Sequence, residues 1–190
     1  MAHNGSIVPV PGRDIFAQAW YQGGLSVIDF TDSANPVEIA YFDRGPIHEK
    51  KLVLGGYWST YWYDGKIYGT EIARGLDVFA LKPSEYLSAN EIAAASIADQ
   101  GDTFNPQQQF PITWPAAPVV AKAYMDQLRR SEGLTAEQAD ELTRALDRAE
   151  AQLKTNEGDS GLANELTTLS QSLDHKGLSK AVSDIAARVR

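Results

Sequence analysis

The chain offers few residues that can do chemistry, and they do not form a known catalytic pattern. Its 190 residues contain no cysteine and three histidines, His3, His48 and His175. The lack of cysteine excludes disulfides, thiolate nucleophiles and zinc–cysteine sites. The sequence HEKKL at 48–52 begins like a zinc-protease motif, but Leu52 stands where the second histidine is required. We therefore predict no catalytic residue, no bound metal and no cofactor.

The residues with most promise for ligand binding lie where predicted strands run into glycine-containing turns. Glu71 and Arg74 place charges beside an aromatic-rich strand, which is an unusual position for charged residues. One interpretation is a ligand-facing pair in which the Arg74 guanidinium binds an anionic group. The other is a structural ion pair between sheets. Gln18, Trp20 and Tyr21 occupy the corresponding place in an earlier strand and carry the same two interpretations.

Composition limits the classes of partner. The formal net charge is −8 and 43% of the residues are hydrophobic, so the chain can form a core. The excess of acidic residues argues against a nucleic-acid partner or an anionic membrane surface. The longest uncharged stretch, 103–121, contains four prolines, so we predict no membrane span.

The elements that must position these residues are short strands up to about residue 83. Apolar segments alternate with turn residues, and Asp64-Gly65 between two such segments is a strong hairpin signal. Short strands joined by hairpins predict antiparallel sheets. The predicted strands are 6–10, 15–21, 25–30, 37–42, 57–63, 66–72 and 75–81.

An internal repeat relates two of these hairpins. Residues 15–30 match residues 67–81, with one residue of slack at Gly23-Gly24, and Leu25 corresponds to Leu76. A period of about 40–50 residues is typical of β-propeller blades. In the strand at 57–63, alternation places Tyr57, Tyr61 and Tyr63 on one face and Trp58 and Trp62 on the other. Large aromatic side chains on both faces indicate a sheet that is covered on both sides, as a blade between two other blades is. A sugar-stacking platform is the alternative interpretation of these aromatic residues.

The remainder of the chain is predicted to be helical. Ser88 and Glu91 form a capping box before a short helix, and Pro115 suits the first turn of a second helix. Leucines at helical spacing then predict a small antiparallel bundle, either self-contained or docked to a partner protein. The predicted class is α+β with several domains: two propeller-like blades at 1–83, a short helix and Pro/Gln-rich linker at 84–114 (the linker proper spanning 105–118), and a helical bundle at 115–190.

The repeat resembles the LVIVD-repeat proteins of bacterial and archaeal cell surfaces. The pattern Gly-Leu-x-Val-x-Asp is present at 24–29, an Asn-Pro loop follows at 35–36, and His3-Asn4 resembles the start of such a unit. The second unit departs from the pattern, since Ala80 stands in place of the aspartate. The resemblance covers roughly residues 3–81 and implies a ring of several blades, of which this chain holds about two.

The resemblance implies a non-enzymatic repeat scaffold for binding or surface display, the chain being the C-terminal portion of a longer propeller protein or a shortened paralogue. The alternative is an enzyme or metal-binding protein whose site, including His3, is completed on the propeller axis by blades absent here. Expected partners are the remaining blades, or other copies through exposed sheet faces, and a protein that docks on the bundle. The resemblance implies a cell-surface or secreted protein, although the chain shows no signal peptide and would itself remain cytoplasmic.

Overall fold

The chain folds into two compact units in a computed structural model that describes residues 1–101, 111–155 and 157–190. One unit, the β unit, spans residues 1–113, and the other, the helical unit, spans residues 114–190. Two antiparallel sheets and several helices make the fold α+β, as predicted. Residues 105–110 of the predicted linker lie outside the described residues.

Residues 1–101 of the β unit form two separate antiparallel sheets. The first has four strands in the order β1-β2-β3-β4 and the second three in the order β5-β6-β7. Within the described residues these sheets do not close into a propeller ring. The strands are β1 Ala2–Val8, β2 Ile15–Trp20, β3 Gly24–Asp29, β4 Val37–Phe42, β5 Tyr57–Tyr63, β6 Lys66–Glu71 and β7 Gly75–Phe79.

The β2–β3 and β6–β7 hairpins have the same pairing register. Trp20 pairs with Gly24 in the first hairpin, and Glu71 pairs with Gly75 in the second. Residues 21–23 and 72–74 form turns of equal length. The two hairpins therefore align residue for residue, with Trp20 equivalent to Glu71 and Gly24 equivalent to Gly75. The predicted one-residue difference in length at Gly23-Gly24 is wrong.

The equivalent faces of the two hairpins have opposite exposure. Leu25 and Val27 are 4% and 1% exposed, whereas Leu76 and Val78, at the equivalent positions, are 63% and 54% exposed. Side chains alternate along a strand, so each pair marks one face of its hairpin. The Leu-Val face is therefore covered in the first hairpin and open in the second.

Contacts between the sheets show which faces are covered. The Thr60 hydroxyl donates to the carbonyl oxygen of Ala17 at 3.0 Å, and the Trp62 amide donates to the Ser6 hydroxyl at 2.7 Å. The rings of Phe42 and Phe79 lie 4.8 Å apart between their centroids. The core between the sheets combines the Leu-Val face of the first hairpin with the opposite face of the second.

An irregularity at the start of β5 corrects the predicted division of its aromatic residues. The register with β6 shifts between Tyr57 and Ser59. A shift of this kind reverses the alternation of side chains on one side of it. Tyr57 is consequently buried together with Trp62, and Trp58 is exposed.

Helix α1, Ala89–Ser96, belongs to the β unit and contributes to its core. Ser88 and Glu91 form the predicted capping box. Leu87 and Ala95 lie in the core cluster with the strand residues. The helix is also tied to the first sheet by an ion pair between Arg13 and the buried Glu91, with an N–O distance of 2.8 Å.

The described part of the helical unit contains four helices whose apolar residues face inward. Helix α2 begins at Pro118 and not at Pro115, since Pro118 occupies the first helical turn. Thr135 and Gln138 exchange capping hydrogen bonds at the start of α3. Each of α2 and α4 contacts both α3 and α5. The helices are α2 Pro118–Arg130, α3 Ala136–Thr155, α4 Ser160–Gln171 and α5 Lys176–Arg188.

The predicted leucine stripes form the interior of the helical unit. Leu142 and Leu146 of α3, Leu166 of α4, and Leu178 and Ile185 of α5 are all fully buried. No helix in the described part of the chain is long and apolar enough to cross a membrane.

Candidate functional site

The predicted site residues are positioned by the two equivalent hairpin turns and the strand segment between them. The Gln22 amide of the first turn donates to the carbonyl of Gly55 at 2.9 Å, and the Ile72 amide of the second donates to that of Gly56 at 3.0 Å. Gly56 also forms an isolated β-bridge with Tyr21. The segment before β5 therefore holds both turns together at one end of the sheets.

Gly56 is required for this arrangement. Its φ of +82° lies in the left-handed region. A Cβ at this position would lie 2.5 Å from the carbonyl oxygen of Trp20. A side chain here would push the first turn away from β5, so glycine is the residue that allows the turns to meet.

Glu71 has a structural role at this end of the sheets. Its Oε1 accepts a hydrogen bond from the Gly56 amide at 2.9 Å, and its Oε2 accepts one from the Ala73 amide at 2.8 Å. These backbone bonds hold the carboxylate, and the structural ion pair with Arg74, one of the two interpretations above, is not formed within the described residues. Burial of this charged group is offset by the two amide donors, which fix the turn to the start of β5.

Arg74 lies beside a cleft of about 220 Å³ between the hairpin turns and the loop after β4. Its guanidinium makes one long hydrogen bond, 3.4 Å, to the carbonyl oxygen of Pro46. Ile47, Leu52 and Tyr57 are the large apolar and aromatic residues among those that line the cleft. The complete lining is Gln22, Gly24, Asp43, Arg44, Gly45, Pro46, Ile47, Leu52, Gly56, Tyr57, Glu71 and Arg74.

A second arginine in the cleft is engaged by a carboxylate. Arg44 pairs with Asp77 at 2.5 Å and lies over the ring of Phe42. The other carboxylate oxygen of Asp77 accepts a hydrogen bond from the Tyr57 hydroxyl at 2.6 Å. Burial, together with this hydrogen bond, raises the pKa of the Tyr57 phenol.

Acidic residues at the cleft bind the backbone. Asp43 accepts a hydrogen bond from the Gly45 amide at 2.9 Å, and Glu71 accepts those of the Gly56 and Ala73 amides. These bonds shape the loops around the cleft. Of the two arginines that line the cleft, Arg44 is paired with a carboxylate, whereas Arg74 makes a long hydrogen bond to a neutral carbonyl oxygen.

His3 and Tyr21 come together with an aromatic residue that the sequence did not assign to the site. The His3 ring stacks on Tyr21 with centroids 4.6 Å apart and meets the edge of Trp58 at 4.8 Å. Its Nδ1 lies 2.6 Å from the carbonyl oxygen of Trp58. In the described ranges no group of three potential metal ligands occurs. The His3 side chain is thus held by one hydrogen bond and by two ring contacts.

Gln18 and Trp20 lie on the outer face of the first sheet. The Gln18 amide group donates to the carbonyl oxygens of His3 and Ala19 at 3.0 and 2.7 Å. The Trp20 indole donates to the Ser26 hydroxyl at 2.9 Å. Both side chains thus form hydrogen bonds within the first sheet. Neither is among the residues that line the cleft.

The sugar-stacking interpretation of the aromatic strand loses one of its two tryptophans. Trp62 is buried in the core between the sheets, and only Trp58 remains exposed. A flat platform needs neighbouring exposed rings, whereas Trp58 is packed against His3 and Tyr21.

A buried charged cluster that sequence reasoning missed explains the aspartate of the repeat motif. Asp29 pairs with Arg13 at 2.5 Å, and the other nitrogen of Arg13 reaches Glu91. Burial alone would raise the pKa of Asp29, but hydrogen bonds from Thr31 and Arg13 outweigh it and lower the pKa. The motif aspartate therefore helps to dock α1 and does not face the cleft.

Comparisons with known proteins identify no relative: no family model, curated protein or solved structure matches the chain. The resemblance to LVIVD repeats, and the cell-surface or secreted location that it implies, stay predictions.

Proposed function

We propose that the β unit is a non-enzymatic repeat scaffold of the β-propeller type, used for binding or surface display. The proposal is supported by two hairpins of equal register that stack one face on the opposite face of the next, as repeated blades do. Further support comes from the carboxylates at the cleft, Asp43 and Glu71, which bond to backbone amides and so serve to shape loops.

The ligand of this scaffold is a small anion with an apolar part, bound in the cleft at the hairpin turns. The observation that carries this is the position of Arg74, whose guanidinium has only a long bond to a carbonyl and which lines the cleft together with large apolar and aromatic residues. A guanidinium binds a carboxylate through two parallel hydrogen bonds, which are stronger than a bond to a neutral carbonyl. Ile47 and Tyr57 can then cover the apolar part of the ligand.

The test is a titration of the ¹⁵N-labelled chain with sodium benzoate at constant ionic strength. We expect saturable shifts of the amides of Gln22, Gly45 and Gly56, and at least tenfold weaker binding by Arg74→Gln. Arg144→Gln removes an exposed arginine of α3 and is the matched control. Benzyl alcohol, which lacks the charge, should bind much more weakly than benzoate. Equal benzoate binding by Arg74→Gln and the original chain would contradict the proposal.

A further inference from the structure

The stack of two sheets ends in two outer faces, one on each side. The first outer face belongs to the first sheet and carries Ile7, Phe16, Ile28 and Tyr41. The register places Phe16 opposite Ile28, and Tyr41 is 76% exposed.

The second outer face belongs to the second sheet and carries Tyr63, Tyr68, Leu76 and Val78. Tyr68 pairs with Val78, and Tyr63, Leu76 and Val78 are among the exposed large apolar residues. Both ends of the stack therefore expose large apolar side chains.

The two outer faces are equivalent to the two faces that already pack together inside the chain. By register, Phe16 and Ile28 of the first hairpin correspond to Ile67 and Phe79 of the second. Ile67 is fully buried and Phe79 packs against the same core. The first outer face therefore repeats the buried side of the second sheet.

The same relation holds at the other end of the stack. Leu76 and Val78 correspond to Leu25 and Val27, which are buried against the second sheet. Each chain thus carries both members of a complementary pair of faces, one open at each end.

We propose that copies of this chain associate head to tail, the first outer face of one copy packing on the second outer face of the next. This contact repeats the packing between the two sheets within one chain. Charge also favours it, since the first outer face carries the exposed Glu38 and the second the exposed Lys66. Because the two faces differ, the contact is heterologous and each copy has one donor and one acceptor surface. The inference rests on the scaffold proposed above and names its partner as a second copy.

The experiment uses two variants of the full chain, each blocked on one face. Tyr41→Lys places a cation on the first outer face, and Val78→Glu places an anion on the second. Both side chains are exposed, so the changes should leave the fold intact, which circular dichroism checks. Sedimentation velocity from 1 to 200 µM is expected to show concentration-dependent association of the original chain and monomers of each variant alone.

The decisive sample is an equimolar mixture of the two variants. In the mixture, the Val78→Glu variant supplies an open first outer face and the Tyr41→Lys variant an open second outer face. We therefore expect a heterodimer that does not grow further. Tyr86→Lys, another exposed tyrosine of the β unit, is the matched control and should associate like the original chain.

Three results would overturn the proposal. An original chain that stays monomeric at 200 µM would leave the faces to other partners, such as blades of a longer polypeptide. Self-association by either blocked variant would show that like faces pair, and a monomeric mixture would place the contact elsewhere. Benzoate binding in the cleft is measured separately on the monomeric Val78→Glu variant, so failure of the association leaves the test of the proposed function intact.

Discussion

Replacement of Arg13 by methionine tests how α1 is held on the first sheet. The Arg13 side chain is 9% exposed and that of Glu91 is fully buried. Arg13 also donates to the carbonyl oxygen of Tyr86 at 2.7 Å and pairs with Asp29. The change keeps the length of the aliphatic stem but removes the cation from two carboxylates.

The expected loss of stability is large because a buried charge is left without its cation. Removing one partner of a buried ion pair typically costs about 3–5 kcal/mol. With a urea m-value of about 2 kcal/mol/M, this corresponds to a fall of about 1.5–2.5 M in the midpoint of unfolding. Tryptophan fluorescence suits the measurement, since three of the four tryptophans, Trp20, Trp58 and Trp62, lie in the β unit.

Two further variants separate the charge effect from simple loss of packing. Arg13→Met combined with Glu91→Gln removes both charges and keeps a side chain that can bond the Ser88 amide, so it should recover at least half of the lost stability. Arg144→Met changes an exposed arginine and should shift stability by no more than about 0.5 kcal/mol. An Arg13→Met chain as stable as Arg144→Met would show that the ion pair between Arg13 and Glu91 does not stabilise the β unit.

Three other substitutions probe the site and the repeat. Glu71→Ala leaves two backbone amides without their acceptor and should cost about 2–5 kcal/mol in urea unfolding, whereas Glu71→Gln, which can still accept one bond, should cost less. Gly24→Ala places a Cβ 2.1 Å from a backbone oxygen and should unfold at much lower temperature than Gly45→Ala, which shares the positive φ but meets nothing within 4 Å; equal melting temperatures would contradict the steric argument. Asp29→Asn should flatten acid unfolding: the folded-state pKa of Asp29 is lowered, so its stabilisation is present above about pH 4 and is lost as pH falls through the folded pKa, and the difference between the two chains should shrink over that range.

Local patterns in the sequence predicted the elements of the fold well. The Asp64-Gly65 turn, the capping box at Ser88 and the leucine spacing of α3 to α5 each act within a few residues, and the structure contains all of them. Pro115 misled because the stretch contains a second proline that also suits a first helical turn, and Pro118 takes that position.

Features that depend on distant parts of the chain were harder to predict. The shift of register after Tyr57 reverses which aromatic residues are buried, and no local signal marks it. Arg13, Asp29 and Glu91 are separated by many residues and meet only when α1 docks.

The cleft was also hard to predict, because residues distant in the sequence form it. Glu71 and Arg74 drew notice as charges near a turn, but Arg44 and the loop after β4 lacked any pattern that linked them to that turn. The Gly55-Gly56 pair was the available signal, because adjacent glycines before a strand often allow close approach of other backbone segments.

The stacking of the two sheets is tested most directly by the distance between the rings of Phe42 and Phe79. These residues belong to different sheets, and their centroids lie 4.8 Å apart in the core that defines the stack. A NOESY spectrum of the chain with labelled phenylalanine is predicted to show cross-peaks between the two rings, together with those between the paired neighbours Ile67 and Phe79. Cross-peaks within the second sheet but none between Phe42 and Phe79 would contradict the stacking of the two sheets.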